Sequence, residues 1–362
     1  MPVGSVAQPA VSPAPSRPVL RLVLAILLLL ALIAAIVASF FVLHKNFWSA
    51  SAFAERYVHK IADGDASGAL AMPGVDPDFT QLEAAGYPNA SAALLRSATL
   101  TSDIEDIRAV AERRTGDDAV EVDVEYTIDG VPGAMTFSVT RTGWAGLVPD
   151  WAFTTSPMTV IDVTVRGSWR YTINGFEMDK RQVSFAGYDA DPLEPIPMLA
   201  FAPGAYEVSV DTAATAASPE TVRAQAALDV VDIDVQALPT AELSQLVQDG
   251  VQRHFDEVCT VQRRLKPEDC PFEYDGSWGI AQPDIEWTVA RYPQTALVPD
   301  GDGWRISPTT GVMHLTLTMQ RYFDGVMEQV DEDVHFAMDG TVEIHEGGSV
   351  EIVINKADLD LP

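Results

Sequence analysis

Cysteine is nearly absent: Cys259 and Cys270 are the only two in 362 residues. The closely spaced pair of a zinc knuckle and the Cys-x-x-Cys of a redox site are therefore both missing. The common catalytic signatures are missing too, with no G-x-S-x-G, S-x-x-K, H-E-x-x-H, P-loop or dinucleotide fingerprint. Basic residues are few, 23 Lys and Arg against 52 Asp and Glu, which leaves a formal net charge of −29. Such a surface stays soluble and repels anionic partners. It has no basic stripe to neutralise phosphates, which argues against nucleic-acid binding. Cations, basic proteins and neutral ligands are the easier partners. Lysine is scarce beside arginine, a composition associated with GC-rich bacterial genomes.

What the chain does have is one long apolar run. Leu22 to Leu43 holds neither charge nor proline. At 1.5 Å per residue it is long enough to cross a hydrocarbon core of ~30 Å. Arg17 and Arg21 precede it and His44 and Lys45 follow. The short arginine-bearing tail favours a cytoplasmic N-terminus, with the bulk of the chain outside the plasma membrane. The competing reading is a cleaved signal peptide. The run exceeds the usual ~7–15-residue apolar core of such peptides, and cleavage after Val37-Ala38-Ser39 would leave apolar Phe40 to Leu43 at the new terminus. Residues 1–18, rich in proline and small residues, read as a disordered cytoplasmic tail, and 19–43 as a single-pass transmembrane helix.

Past the anchor the periodicity changes three times. Over 46–156 helices come first: Phe47, Ala50, Phe53, Ala54, Tyr57, Val58 and Ile61 fall at helical spacing. Gly64 ends that helix, Asp65 caps a second, and Asn89 is placed to cap another. Strands follow, with Val120, Val122, Val124, Tyr126 and Ile128 alternating against acids, a turn at Asp129-Gly130, and a return through Met135, Phe137 and Val139. Over 157–238 the helical signal fades into strands, with a tight-hairpin signal at Asn174-Gly175, and "FEMDKRQVSF" also reads as strand; a small β-sandwich is expected. Over 239–356 Thr240 caps a helix with an apolar stripe at Leu243, Leu246, Val247, Val251, Phe255 and Val258, and strands follow again. Residues 357–362 are a tail. The fold class is α+β: two α+β units of NTF2/cystatin-like layout flanking a small β-sandwich. Two echoes suggest that the outer units repeat one fold. "DIEDIRAVA" from Asp103 is similar to "DIEWTVARY" from Asp284, and "YTIDGV" from Tyr126 to "RYFDGV" from Arg321.

Few residues offer chemistry. "PDGDGW" at Pro299 to Trp304 has the look of a calcium loop but lacks the remaining ligands, so it reads as a polar turn. In "DEDVHFAMDGTVEIHE" the apolar residues set a hairpin turning at Met338-Asp339-Gly340, with Phe336 opposite Val342. That register puts His335 opposite Glu343 and His345 opposite Asp333, all on the polar face. Two imidazoles and two carboxylates could hold zinc or sense pH; the alternative is a solvated face with cross-strand ion pairs. Trp144, Trp151, Trp169, Trp278, Trp287 and Trp304 could line a cavity, though such residues more often fill cores.

For "CTVQRRLKPEDCPF" a disulfide is the best fit. Ten residues separate the cysteines, too many for zinc spacing, and no base stands nearby for a lone nucleophile. Cys259 ends the helical stripe and Cys270 opens a Cys-Pro-Phe that can anchor to the core. Closing such a loop stabilises by roughly 3 kcal/mol, and only in an oxidising compartment. The tip Arg263, Arg264 and Lys266 is a rare basic cluster.

"SAFAERYVHKIADGDASGALAM" resembles the opening helix pair of extracytoplasmic NTF2-like domains in single-pass bacterial envelope proteins. "VQRHFDEVCTVQRRLKPEDCPF" is similar to a helix and Cys-Pro-Phe segment of exported actinobacterial-type proteins. "YTINGFEM" and "FAPGAYEVSV" resemble β domains of the teicoplanin-resistance-associated TcaA family. That family begins with a cytoplasmic zinc ribbon, for which this chain has no N-terminal cysteines. The best reading of the chain as a whole is a membrane-anchored, non-catalytic binding or interaction protein of the cell envelope. It needs no cofactor, and its partner would be an envelope protein or a wall precursor. The alternative is an envelope enzyme or small-ligand receptor using a pocket in an NTF2-like unit; such folds host both.

Overall fold

The computed structural model describes residues 17–43, 47–77, 79–345 and 349–358. The expected N-terminal tail up to residue 16, His44 and Lys45, and residues 359–362 of the expected C-terminal tail lie outside them. Helix α1 (Arg17–Leu43) carries the apolar run, and between residues 21 and 39 its side chains are all exposed. It is the one described helix long and apolar enough to cross a membrane.

Helix α2 (Ala50–Ala62) begins where the Ser49 side chain accepts a hydrogen bond from the Ala52 amide. It buries Phe53, Tyr57, Val58 and Ile61 and is closed by Gly64 at φ +70°. Asp65 then caps α3 (Ala66–Leu70), and α4 (Phe79–Ala84) follows. The helix expected after Asn89 is instead two 3₁₀ turns, Ala92–Leu94 and Ser97–Thr99. The Ser91 amide and carbonyl are already committed to Pro197 and Leu199 and are unavailable to start a helix. A four-stranded antiparallel meander comes next: β1 (Ile104–Arg114), β2 (Ala119–Ile128), β3 (Val131–Ala145) and β4 (Val148–Phe153), in that order. Asp129 and Gly130, both at positive φ, make the β2–β3 turn. Rings fill the space between helix and sheet. Phe53 lies 4.9 Å from Phe153, and Tyr57 lies 5.1 Å from Phe153 and 5.9 Å from Phe137.

The middle region has two sheets. Strands β5 (Met158–Arg166), β6 (Arg170–Ile173) and β7 (Phe176–Asp179) precede a short helix, α5 (Lys180–Val183). The strand expected through "FEMDKRQVSF" thus stops early, because the Asp179 carboxylate accepts from the Arg181 amide and starts a helical turn. Then come β8 (Ile196–Phe201), β9 (Gly204–Asp211), β10 (Thr215–Ala224), β11 (Val230–Gln236) and β12 (Leu238–Pro239). One sheet runs β12-β10-β9-β6-β7 and the other β11-β5-β8, in which β11 and β5 are parallel. Asn174 and Gly175 turn β6 into β7, both at positive φ. Strand β5 is buried almost throughout, the mark of a strand covered on both faces. The buried apolar residues from Ala50 to Ala237 form one continuous core.

A second core starts at Leu243. Helix α6 (Ala241–His254) is capped by Thr240 and ends in a wide π turn, Phe255–Cys259, closed from the Thr260 amide to the Phe255 carbonyl. Leu243, Val247, Val251, Phe255 and Cys259 are buried, whereas Leu246 and Val258, expected in the stripe, are exposed. The buried residues recur every four positions, and the π turn keeps Cys259 in line with Phe255. Strands β13 (Gly279–Ala281), β14 (Glu286–Arg291), β15 (Leu297–Asp300), β16 (Gly303–Arg321), β17 (Met327–Ile344) and β18 (Val350–Lys356) complete the sheet. Its path β14-β16-β17-β18 repeats the meander of β1 to β4, with β13 and β15 added along β16. Ile104 opens β1 and Ile285 precedes β14, both buried, and Asp129-Gly130 and Asp324-Gly325 lie between β2 and β3 and between β16 and β17.

The hairpin expected at Met338-Asp339-Gly340 does not form; β17 runs straight through it. Gly340 is there for close approach and not for a turn. It pairs with Ile306, and a Cβ would come 2.2 Å from the Val353 carbonyl oxygen of β18. A second strand glycine, Gly311, lies under the ring of its partner Phe336, which a Cβ would meet at 2.3 Å. Phe336 in turn packs 5.2 Å from Phe255 and 5.6 Å from Phe272, and Phe272 packs 4.8 Å from Trp287. The Cys259–Cys270 disulfide, with Cα atoms 5.9 Å apart, fixes the segment that delivers Phe272.

Gly311→Ala should destabilise the protein by about 1–3 kcal/mol, because Phe336 has to leave its place among the rings. Replacing both cysteines by alanine should cost roughly 3 kcal/mol. Denaturant unfolding followed by tryptophan emission measures both. A loss below a few tenths of a kcal/mol in either variant would show that the cluster does not hold this region.

Candidate functional site

An apolar-lined cleft of about 600 Å³ opens between the middle sheets and the last one. Its middle-region wall begins just after β5, where Gly167 at φ +78° lets the chain turn against Trp304 of β16. A Cβ on Gly167 would stand 3.0 Å from the Trp304 ring, so the two regions meet here in close contact. Trp169 and Arg170 follow, then Arg181 of α5 and Tyr188 of the next 3₁₀ turn. The opposite wall is the β15–β16 turn at Asp302 and the end of β17, Glu343 to His345.

The wall is organised by one guanidinium. Arg181 donates from Nε to Asp179 Oδ1 at 3.0 Å and from Nη2 to Oδ2 at 2.7 Å. This fork holds it 5.0 Å from the Trp169 ring and 5.9 Å from that of Tyr188. The hydrogen bond from Arg181 holds the Asp179 carboxyl below its usual range. Tyr188 is 82% exposed, so its outer face is open to solvent. Such a stack offers a flat apolar surface backed by positive charge, suited to a ring-bearing or planar group.

Behind the stack lies a buried lysine. Lys180 is 2% exposed, donates from Nζ to the Val165 and Pro192 carbonyls, and sits 5.7 Å from the Trp169 ring. It thereby ties the loop carrying Tyr188 to the end of β5. Burial pulls its pKa from the ordinary 10.5 down to about 8, against the pull of Asp191, Asp302 and Asp179.

The four candidate ligands of the sequence do not converge. His335 pairs with Val312 and Glu343 with Glu351. Eight residues of one strand separate His335 from Glu343, about 26 Å at the strand repeat. Asp333 instead accepts from His314 Nδ1 at 2.9 Å, and His345 Nε2 lies 3.1 Å from Glu351. Of the four, Glu343 and His345 reach the cleft, on its rim. His314 was not singled out in the sequence because its partner depended on the true register of β16. "PDGDGW" is a two-residue hairpin turn, with Asp300 opposite Gly303.

Of the tryptophans, Trp287 and Trp304 are buried and Trp144 is exposed. Among the described residues, one set of at least three His, Cys, Asp and Glu brings its ligand atoms within 4.8 Å: His254, Cys259 and Cys270. Its sulfurs are bonded to each other, and a metal needs thiolates, so the disulfide and a metal exclude one another here. The basic tip is answered by its own acids. Arg264 pairs with Glu268, and Lys266 and Lys356 both reach Glu273, holding its pKa at about 2. A second, more polar groove of about 650 Å³ beside α6 contains Asp256, Asp284 and Glu286; Tyr292 donates to Asp256 at 2.6 Å and the Thr318 hydroxyl donates to Asp284 at 2.6 Å.

No family model and no curated protein matches the chain. Among solved structures, an "Ntf2 like protein involved in plasmid conjugation" aligns at 10% identity, covering 72% of this chain and 80% of its own. Its TM-score of 0.14 carries no argument about fold or activity.

Because the folded pKa of Lys180 lies below its unfolded value, the unfolded state binds more protons between about pH 8 and 10.5. Stability relative to Lys180→Met should therefore rise across that window, by on the order of 3 kcal/mol at most. Comparing the two proteins by denaturant unfolding from about pH 7 to about pH 10 reads this directly. A flat difference would mean that the amine titrates as an exposed lysine does.

Proposed function

We propose that this protein is a single-pass, non-catalytic binding protein of the bacterial envelope. Its N-terminus would be cytoplasmic and its folded body extracytoplasmic, and the cleft at Trp169, Arg181 and Tyr188 would receive the partner. The outer regions, 46–156 and 239–356, are read as two copies of one NTF2-like unit around the β-sandwich of 157–238. The observation that carries the binding reading is where the space lies. NTF2-like pockets would open between helix and sheet, and here aromatic rings fill that position in both units. A void beside Ile61 and Ile104 amounts to about 10 Å³, room for one water at most. The cleft of about 600 Å³ lies between regions, where an exposed aromatic face awaits a partner, whereas the groove of about 650 Å³ inside the last region is polar and lined by acids. The disulfide supports the oxidising side of a membrane, and α1 supports the anchor. An envelope protein or a wall precursor fits, since each can offer an uncharged ring-bearing surface to an otherwise acidic body.

A photo-crosslinking residue at position 188, activated in intact cells, should give a discrete adduct that Trp169→Ala weakens. The same probe at Glu220, exposed on β10, should give none. Equal labelling from both positions, or from neither, would count against the cleft. Protease added to spheroplasts should digest the body of the chain, and full protection would reverse the topology.

A further inference from the structure

The folded body begins within a few residues of the end of its membrane helix. The Phe47 carbonyl accepts from Arg56 at 2.6 Å, and the Trp48 carbonyl accepts from the Trp151 indole at 3.0 Å. From Leu43 to Trp48 the chain advances five residues, at most about 17 Å. The orientation of the first sheet relative to that junction is also fixed. The Ser51 hydroxyl donates to Glu112 and the Ala109 amide to Glu55, while Ile61 lies beside Ile104. The start of α2 is therefore level with the end of β1. By the register of the meander, the β3–β4 turn projects past that level, on the side where the chain enters from α1.

That turn is unlike the two others of its own sheet. The β1–β2 turn carries Asp117 and Asp118, and the β2–β3 turn at the opposite end is Asp129-Gly130. The β3–β4 turn reads Gly143-Trp-Ala-Gly-Leu-Val148, uncharged throughout in a chain of net charge −29. Its Trp144 is 56% exposed and Leu147 is 71% exposed, with the Arg141 guanidinium 4.9 Å from the Trp144 ring. Phe47, where the chain enters, is likewise exposed. Large apolar groups in water cost stability unless something covers them, and tryptophan favours the boundary between lipid and water.

We propose that the β3–β4 turn inserts Trp144 and Leu147 into the headgroup layer of the bilayer that α1 crosses, so that the body stands on its membrane at two points. This rests on the reading of α1 as an anchor. The lengths agree. Leu147 lies four strand residues back from Trp151 toward the membrane, about 13 Å. With the sheet upright and residues 43–48 fully stretched, the tip is then about 4 Å above the hydrocarbon, within a headgroup layer of roughly 5–8 Å. Any shorter path brings it deeper.

The test uses the full chain in nanodiscs with a single environment-sensitive fluorophore on an introduced cysteine; the native pair, being disulfide-bonded, does not react. Leu147→Cys should show blue-shifted emission, quenched by phosphatidylcholine carrying a spin label near the headgroup. Val131→Cys, at the far end of β3 and up to about 46 Å away, should emit as in water and be quenched by aqueous iodide. Leu30→Cys should be quenched by a spin label deep in the acyl chain. A water-like signal at 147 with a quenched signal at 30 overturns the insertion and leaves the anchor standing. An unquenched signal at 30 overturns the anchor itself. Trp144→Glu should return a label at Ala145→Cys to water-like emission; an unchanged signal there would show that the fluorophore alone seeks the lipid.

Discussion

Both outer regions depend on a helix held against an antiparallel sheet by aromatic rings. In the first, Phe53 and Tyr57 of α2 meet Phe137 and Phe153; in the last, Phe255 of α6 meets Phe336, with Phe272 and Trp287 closing the ring of contacts. A helix of this length has too little stability of its own to persist in water. Its position is set by what its apolar side buries, and here each burial is large because each ring is large. The same fact decides where a ligand can go. Rings that seal the interior leave room only at the surface, in grooves and along the seams between regions.

The seams themselves differ. The first region and the middle sheets share one core and are stitched by hydrogen bonds to backbone groups, as where Ser91 pairs with β8 and where the Asn174 side-chain amide donates to the Thr99 carbonyl. The last region has a core of its own and meets the middle one through the close contact of Gly167 with Trp304. The cleft lies along this second, lighter seam. A binding site there can take residues from both sides without disturbing either core.

Much of the fold was legible in the chain. Alternation in β2, the caps at Asp65 and Thr240, the turns at Asp129-Gly130 and Asn174-Gly175, and the disulfide all rest on local chemistry that the sequence states directly. What misled was chemistry that looks local and is not. Met338-Asp339-Gly340 has the composition of a turn, yet Gly340 serves a neighbouring strand that passes too close for a side chain. One displaced turn shifts every cross-strand pair, so the cluster of His335, His345, Asp333 and Glu343 dissolved with it. The cleft was illegible for a related reason. Trp169 and Trp304 were noted as possible cavity residues, but their meeting is a property of how two regions dock, which no periodicity records.

One detail of that docking turns a side chain into a gauge. Asp302 belongs to the last region, and its negative charge helps keep Lys180 of the middle region protonated. Swinging the last region away removes that charge, which by itself makes the amine a weaker base. The acidity of one ε-amine thus records the separation of two bodies of the molecule. A shut cleft and an open one would differ in a titration even if every other residue kept its place.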